Sequence, residues 1–264
     1  MRVLILLITL FFVPNAFAQL SDNSSPLSSD FEDFSVKYKT LNYDLNEIAG
    51  IGFESENNLI GIGEDVHIDF FEEATLIETE SHSIYLLSVK VKNAEAIRID
   101  FLDFYLPDNC KLYVYSADRK FMKGAFTNEN NKVHGRFAIQ SIPSDEIMLE
   151  LNMKSSDEVM PSLIINRIGK IFKDRSVGEC FEDVHCENKN DLARSVINWE
   201  FYEEGSSGLY SCSGSLIRQN VYLDDLKPYI FTARHCGGKA ELETAVFYFN
   251  YQHRDCDDNQ GILG

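Results

Sequence analysis

Short runs with a two-residue period dominate the chain. Ser83-Ile84-Tyr85-Leu86-Leu87-Ser88-Val89-Lys90-Val91 mixes β-branched and aromatic residues with partial alternation. Ala96-Ile97-Arg98-Ile99-Asp100-Phe101 alternates cleanly, which puts apolar and charged side chains on opposite faces of a strand. Lys111-Leu112-Tyr113-Val114-Tyr115 follows the turn signal Pro107-Asp108-Asn109. Glu146 to Leu151 and Leu163 to Ile168 alternate again. Strands this short, parted by Asn, Asp, Gly and Pro clusters, predict an antiparallel β-sandwich over residues 36–174.

The composition changes between Lys170 and Val177, where Lys170, Lys173 and Arg175 stand together and cysteines then become frequent. This is the expected domain boundary. It reads equally as a processing site in an exposed linker or as an ordinary charged linker. Strands resume in the segment 178–264. Ser195 to Tyr202 and Leu209 to Ile217 flank a hairpin loop, Glu204-Gly205-Ser206-Ser207-Gly208. Pro228 to Ala233 and the aromatic run Ala245 to Tyr251 follow.

The N-terminus narrows the compartment. Arg2, the apolar run Val3 to Val13 and Ala16-Phe17-Ala18 form a secretory signal over residues 1–18, cut before Gln19. The run is too short to span a membrane, and no later apolar run reaches about 18 residues. A secreted or periplasmic location is therefore expected, and disulfides are permitted there. Residues 19–35 are rich in Ser, Asp and Asn and predict a flexible leader. The net charge of −18 argues against a nucleic-acid partner, which asks for a basic face.

Six cysteines are spread unevenly: Cys110 stands alone, while Cys180, Cys186, Cys212, Cys236 and Cys256 crowd the C-terminal third. Five is an odd number, which in a secreted protein points to a missing partner. Cys110 precedes a strand and is expected to stay a thiol or to bridge to another chain. His185-Cys186, His235-Cys236 and Cys180 could in principle ligate zinc. No C-x2-C spacing is present and an oxidising compartment favours disulfides, so no metal or cofactor is expected. His67, His82 and His134 also lack metal spacing.

The candidate chemistry lies in Phe231-Thr232-Ala233-Arg234-His235-Cys236, a strand that ends on a histidine followed at once by a half-cystine. With Tyr210-Ser211-Cys212-Ser213-Gly214-Ser215-Leu216-Ile217 it resembles the trypsin-like serine proteases. Val246 to Gln252 followed by Cys256, and Gly178-Glu179-Cys180 with Cys186, are similar to the lysyl endopeptidase branch of bacterial secreted proteases. Tyr85 to Ile168 looks like the pro-region in front of such enzymes, through Leu112-Tyr113-Val114-Tyr115, Gly124-Ala125-Phe126-Thr127 and Gly135-Arg136-Phe137-Ala138.

The resemblance implies an all-β chain: a sandwich-like pro-region, then the first of two antiparallel barrels. It implies His235 as general base towards a serine hydroxyl, protein or peptide substrates, and cleavage after Lys or Arg. It also implies disulfides Cys212–Cys236 and Cys186–Cys256, with Cys180 tied to a second barrel not found here, and a pro-region in contact with the protease domain. The triad Asp and the Gly-x-Ser-Gly nucleophile have no match up to Gly264, so they are expected further along. Ser213-Gly214-Ser215 sits inside an apparent strand and lacks the spacing of a nucleophile elbow. A non-enzymatic reading also stands: a secreted β-sandwich binding module joined to a degenerate half barrel with exposed edges and apolar faces.

Overall fold

Alternation decides most of the architecture, because a strand with one apolar face must bury it against another sheet. The structure is a computed structural model and describes residues 21, 24–30, 38–45, 58–154, 159–172, 194–218 and 228–249. It is all-β. The strands are β1 (Lys39–Tyr43), β2 (Leu59–Asp69), β3 (Thr75–Glu78), β4 (His82–Val91), β5 (Ala96–Tyr105), β6 (Cys110–Ser116), β7 (Met122–Phe126), β8 (Phe137–Ile142), β9 (Glu146–Lys154), β10 (Ser162–Ile171), β11 (Val196–Tyr202), β12 (Gly208–Arg218), β13 (Pro228–Thr232) and β14 (Val246–Phe249).

They form two sheets. A six-stranded sheet runs β1-β4-β9-β6-β7, with β3 also on β4. An eight-stranded sheet runs β14-β11-β12-β2-β10-β5-β8, with β13 also on β12. The core lies between them. Leu87, Val89 and Val91 of β4, Leu112 and Val114 of β6 and Ile147, Leu149 and Leu151 of β9 meet Ile97, Ile99 and Phe101 of β5 and Leu163 and Ile165 of β10. Each set keeps the period of two that the sequence shows.

The eight-stranded sheet joins strands from both sides of the expected boundary. Gly208 and Leu209 of β12 pair antiparallel with Ile62 and Gly61 of β2. The sheet then curls until Val246 and Tyr248 of β14 pack on Ala138 of β8, so it is a nearly closed barrel. Four strands of this barrel, β2, β10, β5 and β8, belong to the sandwich. Its other strands come from residues 196–249.

Three expectations change. Lys170 is not in an exposed linker: it pairs with Ile62 on one side and Ile97 on the other, and is 5% exposed. A protease needs extended, unpaired backbone, so cleavage at Lys170 is excluded in the folded chain; Lys173 and Arg175 lie outside the described residues. The leader is not flexible throughout, because Leu27–Asp30 forms a 3-10 turn seated on the six-stranded sheet. Cys110 is fully buried at the start of β6, with its thiol towards the side-chain Oδ1 of Asn109 at 3.7 Å. Burial puts a bridge to another chain out of reach. The signal 1–18 lies outside the described residues, and among those described no helix is long and apolar enough to cross a membrane.

The strand β2 was missed by pattern because Gly61 and Gly63 interrupt it. Both glycines serve a close approach. A Cβ on Gly63 would stand 2.7 Å from Cε1 and 2.8 Å from the hydroxyl of Tyr202, and one on Gly169 would meet the same hydroxyl. Gly169→Ala should therefore destabilise the chain by about 1–3 kcal/mol through overpacking. Tyr202→Phe removes the obstructing oxygen and should recover most of that loss. A double-mutant cycle in urea reads the coupling; additive effects would mean that Tyr202 does not abut Gly169.

Candidate functional site

β13 ends at Thr232, and a one-turn helix, Arg234–Gly237, follows at once. The strand is held by pairing with β12, Phe231 facing Ser215 and Thr232 facing Gly214. Thr232 adds a side-chain bond, its hydroxyl donating to the Ser213 carbonyl at 2.8 Å. His235 sits in the helical turn and is exposed to solvent. Its neighbour Cys236 is buried and bonded to Cys212 of β12, 24 residues away in sequence. The disulfide packs among Trp199, Phe201, Tyr210 and Leu59. Trp199 stacks on Phe201 at 4.3 Å and on Phe247 at 5.4 Å, so this wall is rigid. The imidazole is thus mounted on a stiff base with its ring in water.

Among the described residues no carboxylate pairs with His235. The sulfurs of Cys212 and Cys236 lie within 4.8 Å of its ring nitrogens, but they are bonded to each other and offer no thiolate. One serine hydroxyl of β12 is engaged in structure. Ser211 and Asn198 of β11 exchange hydrogen bonds at 3.0 and 3.1 Å. Ser213 and Ser215 lie within the strand, opposite Asn198 and Val196. The loop Glu204 to Gly208 is a turn as expected, with Gly205 at φ 74° and the Ser206 hydroxyl accepting from Gly208 N at 3.0 Å. Cys180, Cys186 and Cys256 lie outside the described residues.

Residues 175–263 match the family model of the lysyl endopeptidase C-terminal domain. No solved structure matches the chain. The matched stretch contains His235, the Cys212–Cys236 disulfide and strands β11 to β14, so the sequence likeness and the histidine mount coincide. A disulfide at this place is therefore found in the structure and falls inside the lysyl endopeptidase match.

The outer side of the same strands is apolar. Tyr229 and Phe231 of β13 and Ile217 of β12 share one face by register and are exposed, Phe231 at 69%. β13 pairs only with β12 among the described residues, so this apolar stretch lies on an open sheet edge there.

Sequence reasoning missed a second group of residues, inside the barrel. Arg98 of β5 is fully buried. Its Nε donates to Asp100 at 2.8 Å, its Nη2 donates to the Thr244 carbonyl, and its Nη1 stands 3.6 Å from Glu200 of β11. Ser141 of β8 donates to the same Glu200 at 2.9 Å. Two guanidinium groups lie over the Tyr202 ring, Arg98 at 5.1 Å and Arg167 of β10 at 4.4 Å from its centroid. Arg167 also pairs with Asp65 of β2 at 2.6 Å and with Glu241 at 2.9 Å. At the rim, Arg136 pairs with Glu243 at 3.2 Å. Every one of these links except Arg98–Asp100 and Arg167–Asp65 crosses between the sandwich and residues 196–249.

The electrostatics follow from burial. Burial raises the Asp100 carboxyl above its usual range, with Arg98 pulling the other way. Burial works against the charge of Arg98, but the carboxylates of Asp100 and Glu200 outweigh it and hold the guanidinium protonated. The Tyr202 phenol is pushed well up by burial first and Asp100 second, so it stays neutral.

Proposed function

We propose that this chain is the precursor of a secreted trypsin-like serine endopeptidase that cuts proteins and peptides after Lys or Arg. The observation that supports this most is the exposed His235 in the one-turn helix after β13, anchored by Cys236, within the stretch similar to the lysyl endopeptidase C-terminal domain. In this reading the imidazole takes the proton of a serine hydroxyl as that oxygen attacks the scissile carbonyl. It then hands the proton to the leaving amine. A histidine suits both steps because its ordinary pKa of about 6.5 lets it hold or release a proton near neutrality. In this reading no described serine or carboxylate is assigned as the nucleophile or as the group that orients the imidazole. The reading needs no metal or cofactor.

Residues 36–172 are the pro-region in this reading, and residues 1–18 direct export. The shared barrel supports contact between pro-region and protease segment, through β12 on β2 and the bonds of Arg98 to Glu200 and Thr244. The test is to express the reading frame through and past codon 264. Its product should hydrolyse acyl-lysine esters in preference to acyl-leucine esters, and His235→Ala should abolish turnover while leaving the folded state intact. A folded product with no esterase activity, or one indifferent to His235→Ala, refutes the proposal. The absence of a carboxylate partner for His235 among the described residues favours a second reading, a non-catalytic binding module with a degenerate protease half-domain. That reading predicts the inert outcome.

A further inference from the structure

Away from the barrel and the histidine mount, one ionisable group is fully buried with its partners supplied from far along the chain. Glu150 lies on β9, opposite Tyr113 of β6 and Leu86 of β4, on the outer face of the six-stranded sheet. A carboxylate withdrawn from water is tolerated only when hydrogen bonds replace the water. Its sheet neighbours supply one, the Tyr115 hydroxyl at 2.8 Å. The rest come from Ser28, whose backbone N–H donates to Oε1 at 3.0 Å and whose hydroxyl donates to Oε2. Arg119 then donates to the Ser28 hydroxyl at 2.8 Å, with its guanidinium over the Tyr115 ring at 4.9 Å. Burial, and next the charge of Glu150, push the Tyr115 phenol up, so it remains a donor.

The neighbours of Ser28 are held as well. Leu27 packs on the apolar cluster of Ile84, Leu86, Tyr113, Tyr115, Ala125 and Met148. The Ser24 hydroxyl meets the Tyr113 hydroxyl at 2.6 Å and accepts from Lys111 at 3.1 Å. The face thus has an apolar seat for a leucine beside a polar slot for the next residue. The slot reads a free backbone N–H and a β-hydroxyl with the two oxygens of one carboxylate. Alanine lacks the second donor and proline the first.

We propose that this face is a peptide-recognition site for a short Leu-Ser segment, and that Ser24–Asp30 is its ligand, bound in cis. The site's chemistry is complete only when such a segment fills it. A segment supplied in trans by another polypeptide would meet the same groups whenever the chain's own segment is displaced.

The test uses the full chain with Leu27→Asp and Ser28→Val together, which removes the occupant's anchors and leaves the slot intact. The probe is a fluorescein-labelled peptide of residues 21–32. The double variant should bind it saturably. A peptide with Ser28→Ala should bind at least about tenfold more weakly, as expected for one lost bond to a charged group. Wild-type chain should bind the probe at least about tenfold more weakly than the variant, because its own segment competes at high effective concentration. A variant that melts like the wild type yet does not bind the probe overturns the proposal, and so does equal binding of the Ser28→Ala peptide. Should the variant fail to fold, amide exchange on the wild type decides. Protection of the Ser28 amide that is lost in Glu150→Gln supports the site, and exchange at the rate of an unstructured peptide refutes it.

Discussion

Replacing Arg98 with methionine is expected to cost about 3–5 kcal/mol of stability at pH 7, the range for breaking one side of a buried ion pair. Methionine fills much of the same volume, so the loss comes from charge and not from a cavity. Asp100 and Glu200, which are 2% and 0% exposed, would lose the cation between them. The Thr244 carbonyl would lose its donor. The deficit should also depend on pH, in a direction the structure sets. The folded-state pKa of Asp100 is raised, with burial as the main cause. A carboxyl with a raised folded pKa binds its proton more tightly folded than unfolded. Its contribution to stability is therefore full below its ordinary value of about 3.9 and is lost as pH rises through the folded value. Without Arg98 that folded value moves higher still. The gap between variant and wild type should then narrow as pH falls from 7 towards 4, where Asp100 can be buried neutral. Urea denaturation at a series of pH values measures this. Lys120→Met offers a control, since Lys120 and its partner Asp118 are 75% and 52% exposed and their pairing contributes little. An Arg98→Met chain as stable as the control would mean that the barrel does not close around the cluster.

Removing the Cys212–Cys236 disulfide as a pair of alanines should cost about 3 kcal/mol in the chain-entropy account, given the 24-residue separation. Both cysteines are buried, so some lost packing adds to this. The effect should be local as well as global. Cys236 is the buried residue of the turn that carries His235, and the bond ties it to the wall of Trp199, Phe201 and Tyr210. Once it is cut, the turn is held only by its flanks: β13, which has one paired edge among the described residues, and the backbone bonds of Lys239 to Glu241 with Tyr202 to Glu204. Amide exchange should rise at Arg234 to Gly238 before it rises in β9 or β10. Uniform exchange across the chain would show that the disulfide braces the fold as a whole and does not position the histidine. If the proposed proteolysis is observed, the same variant should lose turnover more than substrate affinity, because a loose base is misaligned more often.

The legibility of this chain differs by residue. Period-two runs such as Ala96 to Phe101, Glu146 to Leu151 and Leu163 to Ile168 marked β5, β9 and β10, since strand geometry is written in neighbouring residues. The hairpin turn at Gly205 and the histidine strand were legible for the same local reason. β2 was not, because Gly61 and Gly63 weaken its pattern in order to admit the backbone of Lys170 and the ring of Tyr202, residues more than a hundred positions away. The leader was misread over Ser24 to Asp30. Serines and a proline look solvated in sequence, and only the buried Glu150 of β9 explains why they are fixed.

By itself, the sequence settles that the chain is all-β, where most strands lie, and that a strand leading into a histidine and a cysteine stands in the C-terminal third. Each of these depends on residues a few positions apart. Only the tertiary structure decides which polar positions see water. Arg98 and Asp100 alternate with Ile97, Ile99 and Phe101 as solvent-facing residues would, yet they are buried because β11 and Thr244 close over them from about a hundred residues further on. Alternation separates the two faces of a strand, and it carries no information about what covers the second face. That covering is made by contacts between distant strands, whose free energy belongs to neither strand alone.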